Sequence, residues 1–223
     1  MDRTAAVALI NQGIGFRATG NALESAIILK LQEAQRDLEK GKTLPKFLVQ
    51  ELQTLTLTAN THTSTKPTGF LREDDEVPLH FYPATATKPT FLERRFYKDA
   101  VLSNLHDTSA SSAPDEPIAP SIYVVRQSVI DFITTADITY TLYWNYYKAA
   151  DLLTSNVENA WLLNAPEWLW GEAGWRIAMD LAGPNSEMVA KFDRIRTAGR
   201  AAAFAEDLVA ETASGPLQMG ANL

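Results

Sequence analysis

The spacing of apolar residues changes twice along this chain of 223 residues, and the order of those changes limits the fold more than any single motif does. Leu23, Ile27, Leu31, Ala34 and Leu38 step by four, four, three and four, which is the period of a helix that buries one stripe. Glu24, Lys30, Glu33, Arg36, Asp37, Glu39 and Lys40 fall on the other side of that helix and are expected in solvent. Asn21 is placed to cap it and Gly41 to stop it, so a helix is predicted over about 21–40. From Thr54 to Thr58 the period drops to two, with β-branched residues alternating with Leu, which is the pattern of a half-buried strand. Further strands are predicted at Leu79–Tyr82, Ile122–Arg126, Val129–Ile133 and Ile138–Tyr146, with turns at Pro83, Gln127 and Asp137.

The helical period returns after Asn156. Val157, Ala160 and Trp161 lead to Pro166, which opens a run with Leu169, Ala173, Ile177 and Leu181 at steps of four, closed by Gly183 and Pro184. A last helix is predicted over about 186–211. At the other end, Ala5, Ala6, Val7, Leu9 and Ile10 form a short helix that stops among Gly13, Gly15 and Gly20, and Thr43 with Pro45 sets a short turn carrying Leu44, Phe47, Leu48 and Leu52. Leu92, Phe96, Ala100, Val101 and Leu105 suggest one more helix over 91–105, while Asn60–Thr68 reads as a Thr-rich turn.

Helices, then strands, then helices is not the alternating order of a parallel α/β sheet. The expected fold is α+β, a helical body built from the N- and C-terminal helices with an inserted antiparallel β region and a long surface loop. The expected divisions are 1–52 for the N-terminal helices, 53–150 for the β region with its Pro- and Ser-rich loop at 107–120, 151–213 for the C-terminal helices packing on the first ones, and a flexible tail at 214–223. Nine Phe, seven Tyr and five Trp supply the apolar surface that offsets the entropy of ordering such a chain.

Composition removes several kinds of chemistry. With no cysteine there is no disulfide, thiol nucleophile or cysteine-held metal. A net charge of −7 argues against DNA affinity as the main activity, because that affinity comes from Lys and Arg neutralising phosphates. The apolar runs are only a few residues long, so no membrane span is expected, and the N-terminus lacks the pattern of an export signal, so synthesis in the cytosol is expected.

Few residues assemble into a catalytic pattern. His62, His80 and His106 lie in separate segments without ligand spacing and read as surface or edge residues. The acidic run Glu73, Asp74, Asp75, Glu76 supplies the carboxylate pair of a hydrolase, with Glu73 and Asp75 as the candidates, or else a solvated loop. Gly13-Ile14-Gly15 matches only the start of a dinucleotide fingerprint. Tyr140, Tyr143, Trp144, Tyr146 and Tyr147 lack basic neighbours apart from Lys148, which favours a core, sheet face or subunit contact over base stacking. Trp161, Trp168 and Trp175, spaced by seven, form an aromatic seam with Trp170 nearby.

Helix Leu23–Leu38, the segment Leu44-Pro45-Lys46-Phe47-Leu48, the Thr-Leu alternation at 54–58 and Gly69-Phe70-Leu71-Arg72-Glu73-Asp74 together resemble the head-to-tail adaptor proteins of tailed bacteriophages. Leu152-Leu153-Thr154, Asn159-Ala160-Trp161-Leu162, Pro166-Glu167 and Gly171-Glu172-Ala173 extend the resemblance into the C-terminal helices. It implies a virion neck protein without catalysis or cofactor. About twelve copies would form a ring under the portal protein, continue the DNA channel without specific DNA binding, and meet tail or nozzle proteins below. The family's portal-gripping segment corresponds to Ala198–Leu223. The expected portal contacts are Arg196, Arg200, Phe204, Leu208, Val209, Leu217 and Met219, and the expected tail-facing or inter-subunit contacts are Phe81, Tyr82, Tyr123 and Tyr143. The alternatives left by the residues are a small hydrolase using Glu73 and Asp75 and a helical protein-binding module.

Overall fold

The computed structural model describes residues 1–15, 21–83, 88–96, 119–154 and 156–214, without the side chains of 21, 22 and 206–214. It is an α+β fold that divides into two compact units, Met1–Leu48 with Ala149–Leu223, and Val49–Lys148. The β unit starts at Val49 rather than 53, because strand pairing begins ahead of the Thr-Leu alternation.

The helical unit contains α1 (Arg3–Gly13), α2 (Asn21–Glu39), a single 3₁₀ turn at Lys46–Leu48, α3 (Ala160–Asn164), α4 (Pro166–Ala182) and α5 (Glu187–Ser214). Asp2 caps α1, its Oδ1 accepting from the Ala5 N–H at 2.8 Å, and Ala6, Val7 and Ile10 form the buried side. On α2 the apolar stripe points inward at Ile27, Leu31 and Ala34. Pro166 occupies the first turn of α4, where its missing N–H costs nothing, and Gly183 ends the helix at φ 75°. Helix α4 is the centre of the unit and touches α1, α2, α3 and α5.

Small residues let α4 and α5 come together. A Cβ on Gly199 would lie 2.3 Å from the backbone N of Trp168, and one on Gly171 would lie 2.8 Å from the backbone N of Arg196. A Cβ on Gly174 would stand 2.2 Å from the ring of Phe192, a fully buried side chain. The tryptophans pack partly as expected. Trp161 meets Trp168 edge-on with ring centroids 5.4 Å apart and Phe47 edge-on at 5.2 Å, whereas Trp170 turns to Phe192 and Trp175 to Arg196.

The polar side of α2 is not all in solvent. Glu39 is 9% exposed and its Oε1 accepts from the Trp161 indole N–H at 3.0 Å, the Ala150 N–H at 3.0 Å and Gln35 Nε2 at 3.1 Å. Gln35 is fully buried and also donates to the Ala150 carbonyl, while its own Oε1 accepts from Asn159 Nδ2. Asn159 in turn caps α3. This network satisfies the backbone where the chain returns from the strands, which charge pattern alone does not reveal.

The β unit contains β1 (Val49–Leu57), β2 (Thr63–Thr65), β3 (Phe70–Glu73), β4 (His80–Phe81), β5 (Thr90–Phe91), β6 (Glu93–Arg94), β7 (Ile122–Val125), β8 (Val129–Phe132) and β9 (Tyr140–Lys148). One sheet runs β1-β9-β4-β5, with β3 also paired to β9, and the other runs β2-β8-β7-β6. Pairing is antiparallel throughout except for the parallel pair β6 and β7, which qualifies the expectation of a purely antiparallel region. Strand β9 is the spine. Leu142, Trp144 and Tyr146 on its inner face join Leu55, Leu57 and Phe81 of the same sheet and Tyr123, Ile130 and Phe132 of the other in one core.

The helix expected over 91–105 does not begin there. Thr90–Phe91 pairs in the first sheet and Glu93–Arg94 in the second, so the chain crosses between sheets at Leu92, which is 4% exposed and donates its N–H to the Leu79 carbonyl at 2.8 Å. One inward Leu between two short extended pieces produced the apparent four-residue step; 97–105 lie outside the described residues. The Thr-rich stretch contains β2, and the segment before the acidic run is β3. In β1 a bulge between Gln50 and Gln53 places Leu52 at φ 48°, 62% exposed, with its N–H donated to Asn145 Oδ1 at 2.7 Å.

Candidate functional site

The acidic run is split by the fold. Glu73, at the end of β3, and Asp74 are buried, whereas Asp75 and Glu76 are exposed. The hydroxyl of Tyr123 on β7 donates to Glu73 Oε1 at 2.5 Å, and Nη1 of Arg94 on β6 lies 2.7 Å from Oε2. One carboxylate on the first sheet thus ties two residues of the second. Burial pushes the Glu73 carboxyl above its usual range; Tyr123 and Arg94 favour the anion but offset only part of this, and Asp75 raises it further. The Tyr123 hydroxyl is raised by its own burial and then by Glu73. Both Glu73 oxygens are engaged in joining the sheets, and Asp75 faces away into solvent, so the two acids do not present a substrate bond between them.

The β unit does present a surface groove of about 590 Å³, lined by Phe81, Tyr82, Pro83, Thr90, Ala119, Ile138, Thr139, Tyr140, Thr141 and Tyr143. It arises where β4 ends at Phe81, paired to Leu142, while β9 continues to Thr141 and Tyr140. His80 is outside the lining but packs against two residues that form it, Tyr82 and Tyr143. Contrary to the expectation of a surface histidine, His80 is 2% exposed, with Nδ1 3.0 Å from the Pro78 carbonyl and its ring among Tyr143 (5.8 Å, stacked), Tyr82 (5.6 Å, edge-on) and Phe91 (5.4 Å). Tyr82 and Ile138 stand more than half exposed at the rim. Tyr140 donates its hydroxyl to Asp137 Oδ1 at 2.8 Å, and burial, followed by that bond, pushes its pKa up to about 12. Among the described residues no charged side chain lines the groove.

Of the four expected contact residues of the β region, Tyr82 and Tyr143 line this groove together. Phe81 borders it as well, although its side chain is 5% exposed and belongs to the core, and Tyr123 is a correction: at 1% exposure it is a core residue outside the groove lining. Tyr123 points between the sheets to reach Glu73, and β4 is buried on both faces, so strand alternation could not separate His80 from Phe81. Sequence reasoning missed Thr90, Ile138 and Thr141. The run Ile138 to Tyr143, with an exposed Ile next to alternating Thr and Tyr, was the available signal.

On α5, Arg196, one of the expected portal contacts, is engaged within the helical unit. Its Nη1 donates to Glu172 Oε2 at 2.9 Å, its Nε to Asp193 Oδ1 at 2.8 Å, and its guanidinium lies 4.0 Å from the Trp175 ring centroid. Glu172 also holds Arg176, which reaches Asp37 of α2, so these charges join three helices. Phe204 is half-buried against Trp168, while Arg200 is exposed near both rings. Leu208 and Val209 lie on α5 but their side chains are outside the described residues, as are Leu217, Met219 and His106 altogether. A larger open groove of about 980 Å³ near Gly13, Ser186 and Lys191 mixes Glu187 with Lys191 and Arg194, which favours no one ligand charge. Among the described residues no three His, Asp or Glu side chains gather as a metal site, and no helix is long and apolar enough to cross a membrane.

No protein-family model matches the sequence, and no curated protein aligns with it significantly.

Proposed function

We propose that the chain is a structural adaptor of a tailed-phage neck, in which about twelve copies close into a ring beside the portal protein. The C-terminal part of α5 contacts the portal, the β unit contacts tail or nozzle proteins, and DNA passes the acidic ring without being held. The observation that carries this reading is the uncharged aromatic groove in an inserted β unit, an arrangement suited to gripping a protein surface rather than polarising a bond. The engagement of Glu73 between the two sheets supports it over hydrolysis. The net charge of −7 supports a channel wall that repels phosphate. A ring of identical subunits requires head-to-tail contacts that close by rotation, and exposed groups on both units are available for them.

The test is electron microscopy of assemblies recovered through a tagged chain from particles produced by its own genome. Closed twelve-fold rings against a portal are expected. Particles that lack the tagged chain, or assemblies without rotational closure, overturn the reading.

A further inference from the structure

The groove between Tyr82 and β9 has a chemistry more specific than general adhesion. Its lining offers aromatic faces at Tyr82, Tyr140 and Tyr143, the flat ring of Pro83, and hydroxyls at Thr90, Thr139 and Thr141. The hydroxyls of Tyr82 and Tyr143 take no hydrogen-bond partner among the described residues. A ligand matched to this lining is uncharged, apolar on one side, and rich in acceptors. A sugar fits less well, since its adjacent hydroxyl donors are best met by carboxylate or amide acceptors, and the lining contains no Asp, Glu, Asn or Gln among the described residues.

We propose that this groove binds a proline-rich, uncharged extended segment of a partner protein. A polyproline II strand has no internal hydrogen bonds, so its carbonyls are free to accept from the Tyr82 and Tyr143 hydroxyls. Its proline rings pack on aromatic faces, and its stiffness reduces the entropy lost on binding. The two residues of β9 beyond the last pair with β4, Thr141 and Tyr140, give such a strand an edge to run along. A charged segment would lose hydration on entering without gaining a partner charge. This deepens the adaptor reading by naming the chemistry of the protein that the β unit contacts, and it rests on that reading only for the partner's place in the particle.

The experiment is an NMR titration of the full chain with acetyl-Pro-Pro-Thr-Pro-Pro-Thr-Pro-amide. Saturable shifts are expected at Tyr82, Thr141 and Tyr143, with affinity falling about tenfold in Tyr82→Ala, whose ring is half exposed and does not support the core, and less in Tyr143→Phe. The same peptide with Glu in place of Thr is expected to bind more weakly. Phe96→Ala, which removes a 72% exposed ring outside the groove lining, is expected to leave binding unchanged. Absence of saturation, equal loss in Phe96→Ala, saturation by maltotriose instead, or groove shifts that follow protein concentration rather than peptide each overturn the proposal, the last pointing to a second copy. Rings that form while the peptide fails to bind would remove this inference and leave the adaptor reading intact; peptide binding without rings would do the reverse.

Discussion

In the β unit, Trp144, Phe132 and Tyr123 fill the space between two sheets; in the helical unit, Gly171, Gly174 and Gly199 remove the space between helices. The first interior is made by adding volume and the second by withholding it. The difference teaches which kind of substitution each half tolerates, because a core filled by large rings is weakened by loss and a contact made by absent side chains is weakened by gain. Polar groups follow the same division. One carboxylate, Glu73, links the two sheets, whereas Glu39 gathers an indole, a backbone amide and a carboxamide at the base of α2.

The largest expected effect is that of Trp144→Ala, which empties the middle of the β unit and should cost about 4 kcal/mol. Urea unfolding followed through β-unit resonances measures it, and a loss below about 1 kcal/mol would break the contrast. Next comes Gly199→Val, expected to cost about 3 kcal/mol through collision with the α4 backbone at Trp168. Its effect should appear as faster amide exchange in α4 and α5, and an unchanged exchange pattern would mean that the two helices do not need the glycine. Glu39→Ala leaves the Trp161 indole and the Ala150 amide without their acceptor and should cost about 2 kcal/mol. Comparison with Glu39→Gln in the same urea experiment sharpens the result, since the amide oxygen retains an acceptor.

The smallest effect concerns pH. Burial raises the Glu73 carboxyl above its ordinary 4.5, so between that value and the folded one the folded unit binds the proton more tightly than the unfolded chain. The stability this group contributes is therefore fully present below 4.5 and declines as pH rises through the folded pKa. Glu73→Gln should flatten that part of the profile while keeping the Tyr123 contact. A wild-type curve that rises with pH over the same window, with the variant unchanged from it, would show that the carboxylate is not held as the geometry indicates.

What could be read from the residues depended on whether one face of an element meets solvent. The α2 stripe was legible because Ile27, Leu31 and Ala34 are buried while Leu29 remains half exposed. Glu39 was read as solvated because a carboxylate is normally outside, and only the returning chain at Ala150 supplies the donor that holds it inside. Leu92 misled because a single inward residue between strands of two different sheets has no period of its own. Of the candidate site, Tyr82 and Tyr143 were legible as aromatic residues of a strand region. The inward direction of Tyr123 and Phe81 was not, since it depends on a second sheet formed by distant strands.

The hub at Glu39 also sets an order in time. Helices α1 and α2 leave the ribosome before the strands, yet the partners of their buried sides, Ala150, Asn159, Trp161 and α4, follow only after the whole of Val49–Lys148 has been made. At usual translation rates that delay is about 5 to 20 s. During it the stripe of Ile27, Leu31 and Ala34 lacks the cover of α4, while the β unit, whose buried core is drawn from the inserted segment, is free to fold at once. The nascent chain therefore passes through an interval in which its middle is finished and its beginning is still waiting, and that interval is when chaperones or neighbouring chains have access to α2.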